Sequence, residues 1–209
     1  MSEPPPDAVV DAPAERYVLR HRRTPTADRY EVMRADERGR ELGLLCFAEH
    51  DRSAPGEHVT FFTDEAKAHP LFGFRARRRL DLGTTYDVTD SHGRRIGWFR
   101  KHFTPASLTS TWTLTLPDGR ELIGRQRSAK ADVARRLWEV VPLVADVPGP
   151  FLLHVDFVTA EGRLALSWAK RAGVRDAYRV TLPALDDGRP IDWRVGMAMG
   201  VAIDALQPH

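Results

Sequence analysis

The sequence predicts a mainly β protein: a closed antiparallel barrel of about twelve strands enclosing a hydrophobic C-terminal helix. Three observations carry this. About a dozen short runs of alternating or β-branched residues are separated by turn residues, the pattern of an all-β chain. A strand–turn–strand unit recurs, which favours antiparallel meanders over βαβ crossovers. Finally, residues 195–203 contain no charged or polar side chain, so a helix there is apolar on every face and has to be surrounded. Nine residues rise about 13.5 Å, under half of a ~30 Å hydrocarbon core. Enclosure by the chain's own strands is therefore favoured over lipid, and a dozen strands can close into such a wall.

The elements follow in order. Residues 1–15 are rich in Pro, Ala and acids and are expected to form a disordered tail. Residues 16–207 are expected to form one domain. Its strands are predicted at 17–21, 30–35, 41–50, 58–63, 71–79, 85–90, 95–103, 108–116, 121–127, 151–158, 164–170 and 177–182. The alternation is sharpest in 108–116, where Leu108, Trp112, Leu114 and Leu116 share one face and Thr109, Thr111, Thr113 and Thr115 the other. Phe151, Leu153, Val155 and Phe157 repeat it. The recurring unit joins Tyr30-Glu31-Val32 to Gly39-Arg40, Tyr86-Asp87-Val88 to Gly93-Arg94, and Trp112-Thr113-Leu114 to Gly119-Arg120. Asp118-Gly119 is predicted to be a two-residue hairpin turn. One helix is expected at about 129–141, with Val133, Leu137, Trp138 and Val141 as its apolar face and Pro142 as its stop. The central helix is expected at about 190–207, with Pro190 in its first turn. Gly196, Ala198, Gly200 and Ala202 would let the wall approach it closely.

Chemistry is sparse. Cys46 is the single cysteine and lies in the apolar run Leu44-Leu45-Cys46-Phe47, so it reads as a small hydrophobe in a reducing compartment. The eight histidines show no zinc-site spacing. Phosphate-binding loop, dinucleotide-binding and nucleophile-elbow motifs are lacking. No cofactor, metal or catalytic residue is expected, and the chain is read as a non-enzyme. The first residues show no signal-peptide pattern, and a cytoplasmic location is expected, with peripheral contact at the inner membrane surface.

Charge supplies the one positive signal. The net charge is +2, yet between positions 71 and 136 there are 14 Lys/Arg against 6 Asp/Glu, a local +8. On the strand at 71–79, Phe72, Phe74 and Ala76 face one way while Arg75, Arg77 and Arg79 face the other. Three guanidinium groups on one face form a donor-rich stripe suited to phosphates. Arg100, Lys101, Arg125 and Arg127 are read as extending it. The competing reading is a solubilising, edge-protecting surface. Nucleic acid is not an expected partner, because the stripe lacks interleaved exposed aromatics.

The order of these pieces resembles the tubby C-terminal-like superfamily, which includes phospholipid scramblases and plant LURP-one-related proteins. The resemblance covers roughly residues 16–207. It is carried by the segment from Leu71-Phe72-Gly73-Phe74-Arg75 through Tyr86-Asp87-Val88-Thr89-Asp90, by Gly93-Arg94-Arg95-Ile96-Gly97-Trp98-Phe99-Arg100-Lys101, and by Ser110-Thr111-Trp112. These are similar to the middle of bacterial members. The resemblance implies a binding protein for anionic phospholipid headgroups or phosphorylated ligands, acting through the basic strand face. The alternative is a protein-interaction scaffold without lipid contact. The chain departs from eukaryotic scramblases: it has no palmitoylation cysteine cluster, no comparable Pro-rich region and no clear acidic calcium loop.

Overall fold

The computed structural model describes residues 14–51, 57–77, 84–104, 109–126, 154–171 and 176–206. Twelve strands run in chain order: β1 (Glu15–Arg23), β2 (Ala27–Ala35), β3 (Glu41–Asp51), β4 (His58–Phe62), β5 (Pro70–Ala76), β6 (Thr85–Asp90), β7 (Arg95–Thr104), β8 (Thr109–Thr115), β9 (Glu121–Gln126), β10 (His154–Val158), β11 (Leu164–Lys170) and β12 (Ala177–Leu182). The helix α1 (Trp193–Ala205) follows. Each strand pairs antiparallel with the next, and β1 also pairs with β12, from Glu15 opposite Leu182 to Arg20 opposite Ala177. Closure gives every described strand a partner on both sides, which limits the aggregation hazard of an open sheet.

The turns explain the meander. The same five-residue device occurs at 36–40, 90–94, 116–120, 159–163 and 185–189, each ending in Gly-Arg. In every copy the glycine N–H donates to the carbonyl of the first residue, whose own N–H donates to the carbonyl of the arginine. The five glycines have φ between 72 and 88°, the left-handed region that other residues enter at a cost. This is a three-residue loop with a glycine bulge. The turn at Asp118-Gly119 is therefore one residue longer than the expected two-residue loop. The arginine that ends each copy is commonly held by its own turn: Arg40 by Asp36, Arg94 by Asp90 and Arg120 by Asp118.

The strand pleat sorts side chains as the alternation predicts. Trp112, Leu114 and Leu116 are buried inside, as are Val155 and Phe157. Thr115 departs from the pattern: it is on the outer face yet only 4% exposed, set in register between Trp98 and Glu121. Leu108, Phe151 and Leu153 lie outside the described residues, and so does the predicted helix at 129–141.

The helix occupies the barrel interior. Every residue from Val195 to Asp204 is buried. Gly196 faces Leu182, and Gly200 faces the Trp168 ring, where an added Cβ would sit 3.1 Å from the indole. The small residues thus seat α1 against β11 and β12. The helix begins at Trp193, later than the expected 190, because the carboxylate of Asp192 accepts the Arg194 amide and caps it there. Pro190 precedes the cap rather than standing in the first turn. No described helix is long and apolar enough to cross a membrane.

Candidate functional site

The outer face of β4, β5 and β6 carries a groove of about 590 Å³. Gly73 forms its floor, with Thr60 and Thr89 opposite it on the neighbouring strands. One pleat along, His58, Arg75 and Asp87 stand in register. A side chain at Gly73 would bring its Cβ to 2.7 Å from the Val59 carbonyl oxygen, so the floor stays bare and the flanking hydroxyls line an open trough.

The predicted arginine stripe divides here. Phe72 and Phe74 point inward and are 2% exposed, while Arg75 and Arg77 are exposed on the outer face. Arg77 forms a two-pronged pair with Asp87, at 2.7 and 2.6 Å, and Arg95 approaches the same carboxylate at 3.7 Å. The Arg77 guanidinium holds the Asp87 carboxyl below the usual carboxylate range. Arg75 makes no ion pair among the described residues. Arg95 also lies over the Trp98 ring, 4.7 Å from its centroid. Arg100 lies on the outer face between Thr85 and Thr113, and its buried Nε finds no hydrogen-bond partner among the described residues. Arg125 is exposed and set opposite Asp156.

Lys101 does not extend the stripe. Consecutive strand residues point to opposite faces, so with Arg100 outside, Lys101 is inside. Its Nζ donates to the Leu206 carbonyl at 2.8 Å, at the C-terminal end of α1, and stands 5.4 Å from the Trp112 ring centroid. Burial lowers its pKa from the ordinary lysine value. Arg79 and Arg127 lie outside the described residues.

A second polar constellation sits inside the barrel. Asp204, in the last turn of α1, is 9% exposed. It accepts hydrogen bonds from Tyr30 Oη at 3.0 Å and Tyr178 Oη at 2.5 Å, and its Oδ2 lies 2.9 Å from His21 Nδ1. His21 Nε2 in turn lies 3.2 Å from Asp28 Oδ1. Burial alone would raise the Asp204 carboxyl, but the hydrogen bonds from His21 and Tyr178 outweigh it and hold the pKa below the usual carboxylate range. Burial pushes the Tyr30 and Tyr178 hydroxyls far above the normal phenol range, and the Asp204 charge adds to it. The residue-level signal in the sequence was a single acid directly after the uncharged run 195–203.

A third cluster has triad residue types without triad geometry. On the outer face, His154 Nε2 lies 3.0 Å from both Asp156 Oδ1 and Ser167 Oγ. A relay needs the acid on one ring nitrogen and the hydroxyl on the other, and here both share one. Cys46 is fully buried and its thiol is pushed up to about 12 by burial, in keeping with a packing role. Among the described residues, no group of three or more His, Cys, Asp or Glu is placed to hold a metal ion.

Fold and surface together define a closed antiparallel barrel wrapped around its own C-terminal helix, with a polar trough carrying Arg75, Arg77, Asp87 and Asp90 outside and a carboxylate–imidazole cluster within. No family model matches this chain, and no curated protein matches it.

Proposed function

We propose that the protein is a non-enzymatic binding protein of the tubby-like kind that engages anionic phospholipid headgroups, or phosphorylated ligands of similar chemistry, through the outer trough. One observation carries the reading. Arg75 is exposed in register between His58 and Asp87, one pleat along from the Gly73 floor with its Thr60 and Thr89, and it makes no ion pair among the described residues. A guanidinium with hydroxyls one pleat along presents the donors that a phosphate monoester accepts. Arg77 and Arg95 add positive potential, yet both face Asp87, so the site's free charge is centred on Arg75. Such contact would be peripheral, at the inner surface of a cytoplasmic membrane.

Co-sedimentation with neutral vesicles and with vesicles containing acidic phospholipid tests this. Pelleting is expected only with the acidic vesicles. Each basic residue near an anionic surface contributes about 1 kcal/mol, so Arg75→Ala is expected to weaken binding roughly fivefold, and Arg75→Glu further. Equal, negligible pelleting in both arms would sink the proposal.

A protein-docking scaffold is the second reading, favoured by Leu42 and Leu44, which are 68% and 48% exposed on β3. Single exposed apolar residues are common, but two on one strand can seat a partner. It gains ground if a stoichiometric partner is captured by the native protein and lost with Leu42→Ser plus Leu44→Ser, while acidic vesicles fail to pellet the chain.

A further inference from the structure

We propose that His21 and Asp204 form a proton-operated latch on the last turn of the enclosed helix, closed while His21 carries its proton and loosened when the proton leaves. The geometry comes first. Both ring nitrogens of His21 face carboxylates, Nδ1 toward Asp204 at 2.9 Å and Nε2 toward Asp28 at 3.2 Å. A neutral imidazole has one N–H and one lone pair; only the cation donates from both nitrogens. With the side chains of His21, Asp28 and Asp204 all at most 10% exposed, water does little to relieve a lone pair aimed at a buried carboxylate. Asp204 also stands where the helix presents its negative end, and no basic residue lies in that last turn. His21, from β1, supplies the missing cation.

The surrounding groups do not replace it. Tyr30 from β2 and Tyr178 from β12 donate neutral hydroxyls to Asp204. On β1, Arg23 reaches Asp28 only at 3.9 Å and is half exposed, and His50 from β3 also stands 3.9 Å from Asp28. Asp176, just before β12, adds negative potential at Tyr178. Lys101 from β7 is committed to the Leu206 carbonyl, with Glu57 acting on it and Tyr86 of β6 hydrogen-bonded to Glu57.

The sign follows from the two partners. Burial works against the His21 charge, but hydrogen bonds to Asp204 and then Asp28 outweigh it and raise the pKa above its ordinary 6.5. Its contribution is therefore complete below about 6.5 and is lost as pH rises through the raised folded value. Asp204 is held below its ordinary 3.8, so its contribution is complete above 3.8 and is lost as pH falls through the lowered folded value. The latch is closed between those limits and opens as pH rises above the ordinary imidazole value and through the raised folded one.

The test follows the full chain from pH 5.5 to 9.5. It combines nitrogen NMR of the His21 ring with amide hydrogen exchange over residues 199–206, corrected for intrinsic chemical exchange. The ring is expected to be doubly protonated at pH 6.5 and to titrate above it. Protection of the last helical turn is expected to fall through the same midpoint, by about tenfold for each unit by which the folded pKa exceeds the ordinary one. Residues 195–198 should keep their protection. Asp28→Asn, which removes one of the two carboxylates, should move the midpoint to lower pH. A neutral His21 ring at pH 6.5 would overturn the latch, as would corrected protection that stays flat through the ring's own titration. Both readouts come from the native chain, so they decide the matter even if the variant fails to fold.

Discussion

The two ends of the enclosed helix are held by different kinds of interaction. At the N-terminal end the restraint is local: Asp192 accepts the Arg194 amide at 2.9 Å and pairs with the same residue's guanidinium at 2.6 Å. Trp193 then packs near Tyr17 and edge-on to Phe72. At the C-terminal end the restraint is remote. Asp204 is bonded by Tyr30, 174 positions away in the chain, and by His21 and Tyr178, while Lys101 reaches the Leu206 carbonyl across 105 positions. A local cap stabilises a helix wherever the helix is. A remote one ties the helix to a closed barrel and forms only when strands from both ends of the sheet have met.

Three substitutions sharpen this contrast. Asp204→Ala removes one carboxylate and leaves His21, Tyr30 and Tyr178 without their buried acceptor. Breaking such a buried pair costs about 3–5 kcal/mol, and urea denaturation at pH 6 should show a loss of that size. A loss near zero would mean the remote end is not an anchor. Lys101→Met keeps the stem over Trp112 but deletes the ammonium. Hydrogen bonds to charged groups contribute about 1.5–3 kcal/mol, and the partial exposure here favours the low end. Exchange protection should drop at the last turn and stay unchanged at 195–198. Asp192→Ala has the smallest effect, about 1 kcal/mol as for a typical N-cap. Its loss of protection should be confined to the first turn. Equal effects for Asp192 and Asp204 would erase the distinction between the two ends.

The outer trough shows the same division between local and remote. The arginines of the Gly-Arg turns were visible as a charge excess, but Arg94 and Arg120 are neutralised within their own turns, by Asp90 and Asp118. Arg77 looked equivalent to Arg75 on the strand pattern. Register sets Asp87 directly opposite Arg75, yet its ion pair runs diagonally to Arg77, which makes one a paired residue and leaves the other open. Lys101 was readable as an inward residue from strict alternation next to Arg100, since only one of two consecutive strand residues can join an outer stripe. What it touches was not readable, because the end of α1 comes to it through the barrel interior.

By itself, the sequence determined the inside and outside of most strands, the repeated glycine turns and the enclosure of an apolar helix. Each depends on neighbours within a few residues: a pleat of period two, a positive φ, a helix with no polar face. Only the tertiary structure decided which polar groups meet. His21, Tyr30, Tyr178 and Asp204 converge because β1 closes against β12 and the helix threads the space between. That convergence depends on register and closure across the whole chain, which no local pattern encodes.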